Sequence, residues 1–304
     1  MSSGGRPGNA DRILSMAEAA EGAGLDSVWV GDSLTAKPRL EPITILAAVA
    51  ARTQRVRLGT AVLLAALRHP VLLAQAVATL DVISKGRAVL AVGVGGAFID
   101  AQQREWLAAG TTPSKRTGRL EELVSIVRRL GAGETVTQQG RHFDLDAVKM
   151  EPLPVQPSGV PILMACHWRA GKEAQFKRAA RLGDGFISIS DTPEEYARVA
   201  EKVRMYAGEE GRDFDQMESV FYMTVNLKQD RVAAVEDAEK YLLNYYGANI
   251  WGDRWGPFGP PEEMVRRINE YVAAGAGTVI VRFASIDQEA QLDTFLAEVA
   301  PEFQ

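Results

Sequence analysis

The 304-residue sequence predicts an α/β protein folded as a (β/α)8 TIM barrel, and three observations predict it. Short apolar runs recur along the chain without the period-2 alternation of a half-exposed strand, as parallel strands covered on both faces require. Segments of helical period with recognisable ends separate these runs. A helix end, a glycine stop and a strand follow one another in EAAEGAGLDSVWV, KRAARLGDGFISI and EYVAAGAGTVIVR, which is how a helix turns tightly into the next strand of a βα unit. A doubly wound open sheet is the alternative built from the same elements.

Seven runs read as strands: Ser27–Val30, Val56–Leu64, Ala88–Val94, Pro161–Ala165, Gly185–Ile189, Val220–Leu227 and Thr278–Phe283. Among the helices, the first carries Ile13, Met16, Ala17 and Ala20 on one face; Asn9 is placed to cap it and Gly24 to stop it. Pro42 and Pro70 stand where first-turn prolines belong, and Gly86 follows the second of these helices. Thr192-Pro193-Glu194-Glu195 is a capping box, and Pro260-Pro261-Glu262-Glu263 opens a later helix in a similar way. Between Arg116 and Arg129, Leu120, Leu123, Val124 and Val127 recur at helical spacing, giving a core-facing helix with a charged outer face.

The count is one strand short. A barrel begins with a strand, yet this chain enters a helix at about residue 10, after residues that are Gly, Ser, Pro and polar. The expectation is that the natural chain begins upstream of Met1, or that the first stave is replaced or lost. Two stretches break the βα rhythm. Residues 132–160 read as a polar hairpin and a Pro-rich return, and residues 247–261, GANIWGDRWGPFGPP, as an aromatic loop that is a lid or a surface clasp. With both set apart as inserts, residues 1–304 make one domain.

Composition excludes several classes. A formal charge of −5 gives no electrostatic reason to expect nucleic acid or an anionic membrane. The single cysteine, Cys166, rules out an intrachain disulfide framework and multi-Cys metal centres, and the three histidines (His69, His142, His167) lie far apart. No signal peptide or membrane-length apolar stretch is visible, so the expectation is a soluble cytoplasmic protein acting on a small molecule.

In such a barrel the site lies at the C-terminal ends of the strands. Asp32 follows the Ser27–Val30 strand as an acid, a base or a flavin contact, or else as a cap or ion-pair partner. Gly93, Val94, Gly95 and Gly96 let a planar ligand or a phosphate approach the backbone, or form a plain turn. The turn Cys166-His167-Trp168-Arg169-Ala170-Gly171-Lys172 precedes a helix and suits an anion. Cys166 and His167 resemble a nucleophile pair, but neighbouring strand residues point to opposite sides, so Cys166 reads as packing. Arg282, at the end of the last strand, pairs with a carboxylate such as Asp32 or contacts substrate. For His69, a hydrogen bond in a helical first turn is favoured over catalysis.

These residues bring out a resemblance. EGAGLDSVWVGDS, the long string RVRLGTAVLLAALRHPVLLAQAVATLDVISKGRAVLAVGVGG, R-x-x-R-L-E-E-L from Arg116 to Leu123, AARLGDGFI and the tail GAGTVIVRF…FLAEVAPEF resemble the bacterial luciferase-like superfamily of flavin and deazaflavin oxidoreductases. The similarity runs from about Ala10 to Phe303. It implies a barrel that binds FMN or the deazaflavin F420, hydride transfer or flavin-dependent oxygenation, and often a dimer. It also implies that Asp32 is the acid near the ring, and that Gly93 to Gly96 and His167 to Gly171 hold the ribityl phosphate and the ring edge. Gly59-Thr60-Ala61-Val62 matches the segment that carries a non-proline cis peptide against the ring, so a cis bond is predicted at Ala61–Val62.

There are departures. Deazaflavin dehydrogenases of the sugar-phosphate type carry Asp-His after the second strand and Glu after the glycines, where this chain has Ser33 and Gly96. That acid–base chemistry is therefore not carried over, and no matching phosphate lysines stand out. The arginine that long-chain-aldehyde luciferases place after the fourth strand is missing, so light emission is not expected. The string favours F420 over FMN. An enzyme in which Asp32 and Arg282 orient substrate under the hairpin and the Trp251–Trp255 loop is the leading expectation, with an FMN-dependent monooxygenase or a silent flavin-binding barrel as alternatives.

Overall fold

The computed structural model describes residues 9–247, 249–250 and 252–303. The side chain of Asn9, expected as a cap, and all of Trp251 lie outside the described residues. In chain order the elements are helix α1 (Asn9–Gly22), strand β1 (Ser27–Val30), α2 (Pro42–Arg52), β2 (Arg57–Leu63), α3 (Pro70–Ser84), β3 (Ala88–Val92), α4 (Asp100–Ala108) and α5 (Arg116–Gly131). The hairpin β4 (Val136–Gln139) and β5 (Asp144–Val148) follows, then β6 (Ile162–Ala165), α6 (Glu173–Leu182), β7 (Gly185–Ile189), α7 (Pro193–Glu209) and β8 (Glu218–Leu227). The chain ends with α8 (Arg231–Tyr246), the short β9 (Phe258–Gly259), α9 (Pro261–Ala273), β10 (Thr278–Phe283) and α10 (Gln288–Glu298).

All seven predicted strands are present. They lie side by side in the order β1-β2-β3-β6-β7-β8-β10, each pair parallel, with β9 added beside the end of β8. The helix ends follow the local chemistry. Glu41 accepts from the Thr44 amide ahead of Pro42. The Thr192 hydroxyl accepts from the Glu195 amide at 3.3 Å while the Glu195 carboxylate accepts from the Thr192 amide at 3.0 Å, completing the capping box. Gly24, at φ 84°, turns the chain from α1 into β1, a conformation that costs glycine little.

The unbroken apolarity of the strands has a simple cause: each faces two cores. Residues such as Val28, Leu58, Leu90, Met164, Phe186 and Phe221 pack outward under the helices. Their neighbours Trp29, Ala61, Val89, Ala91, Leu163, Ile187, Val220 and Ile280 fill the inside of the sheet. Fully burying a side chain of the size of Leu163 or Ile187 contributes roughly 1.5–3 kcal/mol. The interior is a packed plug, which leaves the strand ends to hold a ligand.

The missing stave is visible as a seam. Strands β1 and β10 end the row, and a cavity of about 330 Å³ lies between them, lined by Met16, Leu25, Val28, Val279, Val281 and Leu292 among others. It occupies the place of a first strand, with α1 and α10 behind it. Among the described residues the curled sheet is thus a barrel of seven strands in one row, open along one line.

Of the two inserts, the hairpin stands at the rim. Glu122 of α5 accepts from the amides of His142 and Phe143, and the Arg119 guanidinium lies 4.5 Å from the centre of the Phe143 ring. The Pro-rich return is tied to α3 through Asp81, which accepts from the amides of Val155 and Gln156. The aromatic loop instead reaches the strand ends. No described helix is long and apolar enough to cross a membrane.

Candidate active site at the barrel mouth

Strand alternation identifies the mouth. One pleat beyond the inner plug, the inward positions are Gly31, Gly93, His167, Ile189, Thr224 and Arg282, successors of Trp29, Ala91, Ala165, Ile187, Tyr222 and Ile280. Glycines stand at two of these positions, the polar or charged side chains of His167, Thr224 and Arg282 at three, and the apolar Ile189 at the sixth. Arg282 sits in register with Thr224 on β8.

Beside Gly93 runs the segment Ala61–Val62, and the bond between these two residues is cis, as predicted. The β2–β3 register shifts between Thr60 and Leu63, so the chain bulges there. Gly93 leaves the room this bulge uses: a Cβ on it would stand 2.9 Å from Val62 Cγ2. A Cβ on Gly95, at φ 77°, would stand 3.0 Å from the Trp106 ring, and Trp106 Nε1 donates to the Gly96 carbonyl at 2.8 Å. The glycines after β3 therefore serve close packing of Val62 and Trp106 as well as access for a ligand.

Asp32 is an ion-pair partner in this fold. Arg68 grips both carboxylate oxygens, at 2.5 and 3.1 Å, and the Leu64 amide donates at 2.8 Å. The side chain is 1% exposed, and its bonds pin the turn that follows the cis segment. Arg282 does not pair with it. Instead Arg282 Nη1 donates to Tyr246 Oη at 2.5 Å, and the rings of Tyr222, Tyr246 and Trp255 lie 5.5, 5.4 and 4.9 Å from its guanidinium carbon. Of the two readings of Arg282, the pair with Asp32 is corrected: β8, α8 and the aromatic loop supply phenols and an indole to Arg282, while Arg68 takes Asp32.

The turn after β6 is also more committed than its sequence suggests. The amide of His167 donates to Gln175 Oε1 at 3.0 Å and that of Trp168 to Asp191 Oδ2 at 3.0 Å, while Gly171 closes a turn onto the Trp168 carbonyl. Arg169 and Ala170 remain exposed and available to an anion. Cys166 is fully buried in the outer core, where burial pushes its thiol far above the ordinary range, in keeping with a packing role. His167 faces inward; burial holds its imidazole below the ordinary histidine value, and Nδ1 has no hydrogen-bond partner among the described residues. Burial pushes the neighbouring Asp191 carboxyl upward. His69 is corrected too: its ring makes no capping hydrogen bond and packs edge-on against Phe143 at 5.8 Å.

Sequence reasoning missed a cationic, tyrosine-lined corner. Arg39 fills the space above Gly31, where a Cβ would collide with its guanidinium, and its Nε donates to Tyr245 Oη. Lys37 Nζ donates to the Tyr245 carbonyl at 2.8 Å and lies 5.3 Å from the centre of the Tyr246 ring. The signals were present but separate: a glycine after β1, the pair Tyr245-Tyr246 closing α8, and Trp255 in the aromatic loop. Arg254 fastens that loop, its guanidinium forking onto Glu195 at 2.5 and 2.9 Å.

The side chains at the mouth suit a deazaflavin or flavin ring chemically: Ala61, Val62 and Gly93 are small and apolar, and buried polar atoms at or beside the mouth have no partner among the described residues, namely His167 Nδ1, Asp191 Oδ1, Thr224 Oγ1, and Nε and Nη2 of Arg282.

Comparisons with known proteins identify the family and the fold. The chain is similar to the F420-dependent glucose-6-phosphate dehydrogenase of Amycolatopsis mediterranei strain U-32, with 31% identity over 324 aligned positions that cover 96% of this chain and 94% of that protein. It is 29% identical to the enzyme of the same description from Kineococcus radiotolerans, across 95% of this chain and 92% of that one. Among solved structures, the monooxygenase RslO1 from Streptomyces bottropensis superposes with a TM-score of 0.82 at 26% identity, covering 97% of this chain and 94% of its own. An F420-dependent secondary alcohol dehydrogenase carrying an F420-acetone adduct shares the fold, with a TM-score of 0.81 at 22% identity over 96% of this chain and 94% of that one. The family model described as luciferase-like monooxygenase matches residues 1–278, and the chain belongs to that family.

Proposed function

We propose that this protein is an F420-dependent oxidoreductase that transfers a hydride between the deazaflavin and a small organic substrate at the barrel mouth. The observation that carries the reading is the extended similarity to F420-dependent dehydrogenases, 31% over 96% of the chain, in a barrel whose mouth sets small residues at Ala61, Val62 and Gly93 and partnerless polar atoms of His167, Thr224 and Arg282 at the strand ends. The cofactor supplies the hydride acceptor or donor. The chain's own residues bind and orient it. In this reading the Ala61–Val62 bulge and Gly93 back the ring, Gly93 to Gly96 and His167 to Gly171 hold its edge and phosphate, and Trp255 covers Arg282. Asp32 supports the bulge through Leu64 and Arg68, and Arg282 faces the substrate.

Oxygenation with FMN is the second reading, favoured by the likeness to RslO1 at 26% identity. We further propose one domain over 1–304 and a cytoplasmic homodimer whose partners are small molecules and not nucleic acid; the formal charge of −5 supports the last point. Titration of the purified protein with F420 and FMN side by side tests the cofactor. The expected outcome is a saturable change in F420 fluorescence and, without oxygen, substrate-dependent bleaching of its absorbance. Saturable FMN binding with oxygen-dependent turnover, and none with F420, would replace the first reading by the second.

A further inference from the structure

The departures in the active centre raise a chemical question. Hydride transfer from a hydroxyl-bearing carbon also releases a proton, and the positions where sugar-phosphate dehydrogenases of the family carry His and Glu are Ser33 and Gly96 here. Ser33 is not free for that work: its hydroxyl donates to Glu105 at 2.9 Å and accepts from the Lys37 amide at 2.9 Å. Glu105 is spent as well, accepting from the amides of Thr35 and Ala36. Asp32 is held by Arg68.

The cationic corner offers a different group. Arg282 is 3% exposed, and its contacts at the mouth are Tyr246 Oη and the faces of Tyr222, Tyr246 and Trp255, with no carboxylate among them. Two of its nitrogens have no partner among the described residues. A buried guanidinium with unused donors is costly, and removing it would be cheaper for the fold than keeping it. Its placement makes sense if the oxygen it touches carries negative charge for part of a cycle.

We propose that Tyr246 is the catalytic acid–base residue of this enzyme, with Arg282 as the residue that positions its phenol oxygen and stabilises its ionised form. The inference rests on the F420-dependent reading above. In the oxidising direction, the C–H bond of a hydroxyl-bearing carbon breaks and its hydride leaves with both electrons for the oxidised deazaflavin. The O–H bond breaks, its proton passes to the Tyr246 phenolate oxygen, and its electron pair becomes the second bond of the new carbonyl. The substrate is thereby a secondary alcohol or hemiacetal, oxidised to a ketone or lactone, and Tyr246 ends neutral. The reverse reaction returns the proton from Tyr246 to a carbonyl oxygen.

The surroundings distinguish Tyr246 from its neighbours. Burial raises a phenol, and Tyr245 is pushed up to about 12 and Tyr222 upward for that reason. Tyr246 is the exception: against burial, Arg282 from β10, and Arg39 and Lys37 from the loop after β1, bring it below the ordinary tyrosine value. The other groups that face it are Tyr245 on its own helix, Tyr222 of β8 and the Trp255 ring, which carry no charge in their ordinary forms.

The test uses full-length protein and three variants, Tyr246→Phe, Tyr245→Phe and Arg282→Gln, each checked for native circular dichroism. The first readout is phenolate absorbance in cofactor-free protein as pH rises. The expected result is one early-ionising tyrosine in the wild type and in Tyr245→Phe, lost in Tyr246→Phe and shifted upward in Arg282→Gln. The second is F420 binding followed by anaerobic bleaching with propan-2-ol, cyclohexanol and glucose 6-phosphate. Tyr246→Phe should bind F420 as the wild type does, yet bleach it about 100-fold or more slowly and lose the rise of rate with pH. Early ionisation that persists in Tyr246→Phe, or an unchanged rate and pH profile, overturns the proposal while leaving the F420 reading intact. Wild-type protein that binds F420 but is bleached by none of the three alcohols overturns it as well. Wild-type protein that binds no F420 removes the functional reading itself.

Discussion

Adjacent residues at the end of β6 face opposite ways, and that parity assigns their roles. Cys166 belongs to the outer core, while His167 turns into the mouth. The reading of Cys166 as packing was available from strand geometry alone. The fate of Asp32 was not, because its partner Arg68 lies 36 positions along the chain and only the folded β1–β2 neighbourhood brings them together. Arg39 was silent for a similar reason: only the fold brings it over Gly31. His167 carries a prediction at this scale. Burial holds its folded-state value below the unfolded one, so the unfolded chain binds the proton more readily. Above about pH 6.5 both states leave it neutral, and stability falls as pH drops below that value. Urea denaturation above and below it should show His167→Gln lacking part of the wild-type loss. Parallel losses in the two proteins would contradict the assignment.

Elements were more legible than contacts, since local rules set their ends. The capping box before α7 is an example, because Thr192, Pro193 and Glu195 act within one turn. Its second use could not be read from sequence. Glu195 also receives the fork of Arg254, so one carboxylate caps α7 and moors the loop that brings Trp255 over Arg282. The hairpin shows the converse: a polar insert is easy to recognise, but its contacts, to Glu122 and Arg119 of α5 and to His69 in the loop after β2, come only with the fold. Two substitutions separate the cap from the mooring. Thr192→Ala removes the cap and should cost about 1 kcal/mol in chemical denaturation, leaving the loop in place. Arg254→Ala should leave α7 stable but hasten proteolytic cleavage between residues 247 and 260 and raise the KM for substrate. Equal proteolysis of Arg254→Ala and wild type would show that the fork does not hold the loop.

At the scale of the molecule, the count of strands in the sequence and the count in the sheet agree, and together they expose the seam. Seven buried parallel strands were predictable because each has apolar residues on both faces, and the sheet uses both. What no run of residues could announce is how the row ends: β1 and β10 stop it without pairing with each other, and the groove of about 330 Å³ runs between them. Edge strands leave alternate N–H and C=O groups without a ladder partner, so they open more easily than strands hydrogen-bonded on both sides. The packed interior counters this locally. Trp29 on β1 and Ile280 on β10 both belong to the inner plug, and the Arg57–Glu218 ion pair, at 2.7 Å, ties β2 to β8. The seam should therefore loosen at its edges without opening the barrel. Native-state hydrogen exchange measures this directly: amides of β1 and β10 should exchange well before those of β3, β6 and β7, and a peptide spanning β8 should remain protected. Protection in β1 and β10 equal to that of β7 would mean that both edges are sealed in solution, with some further segment hydrogen-bonded into the groove.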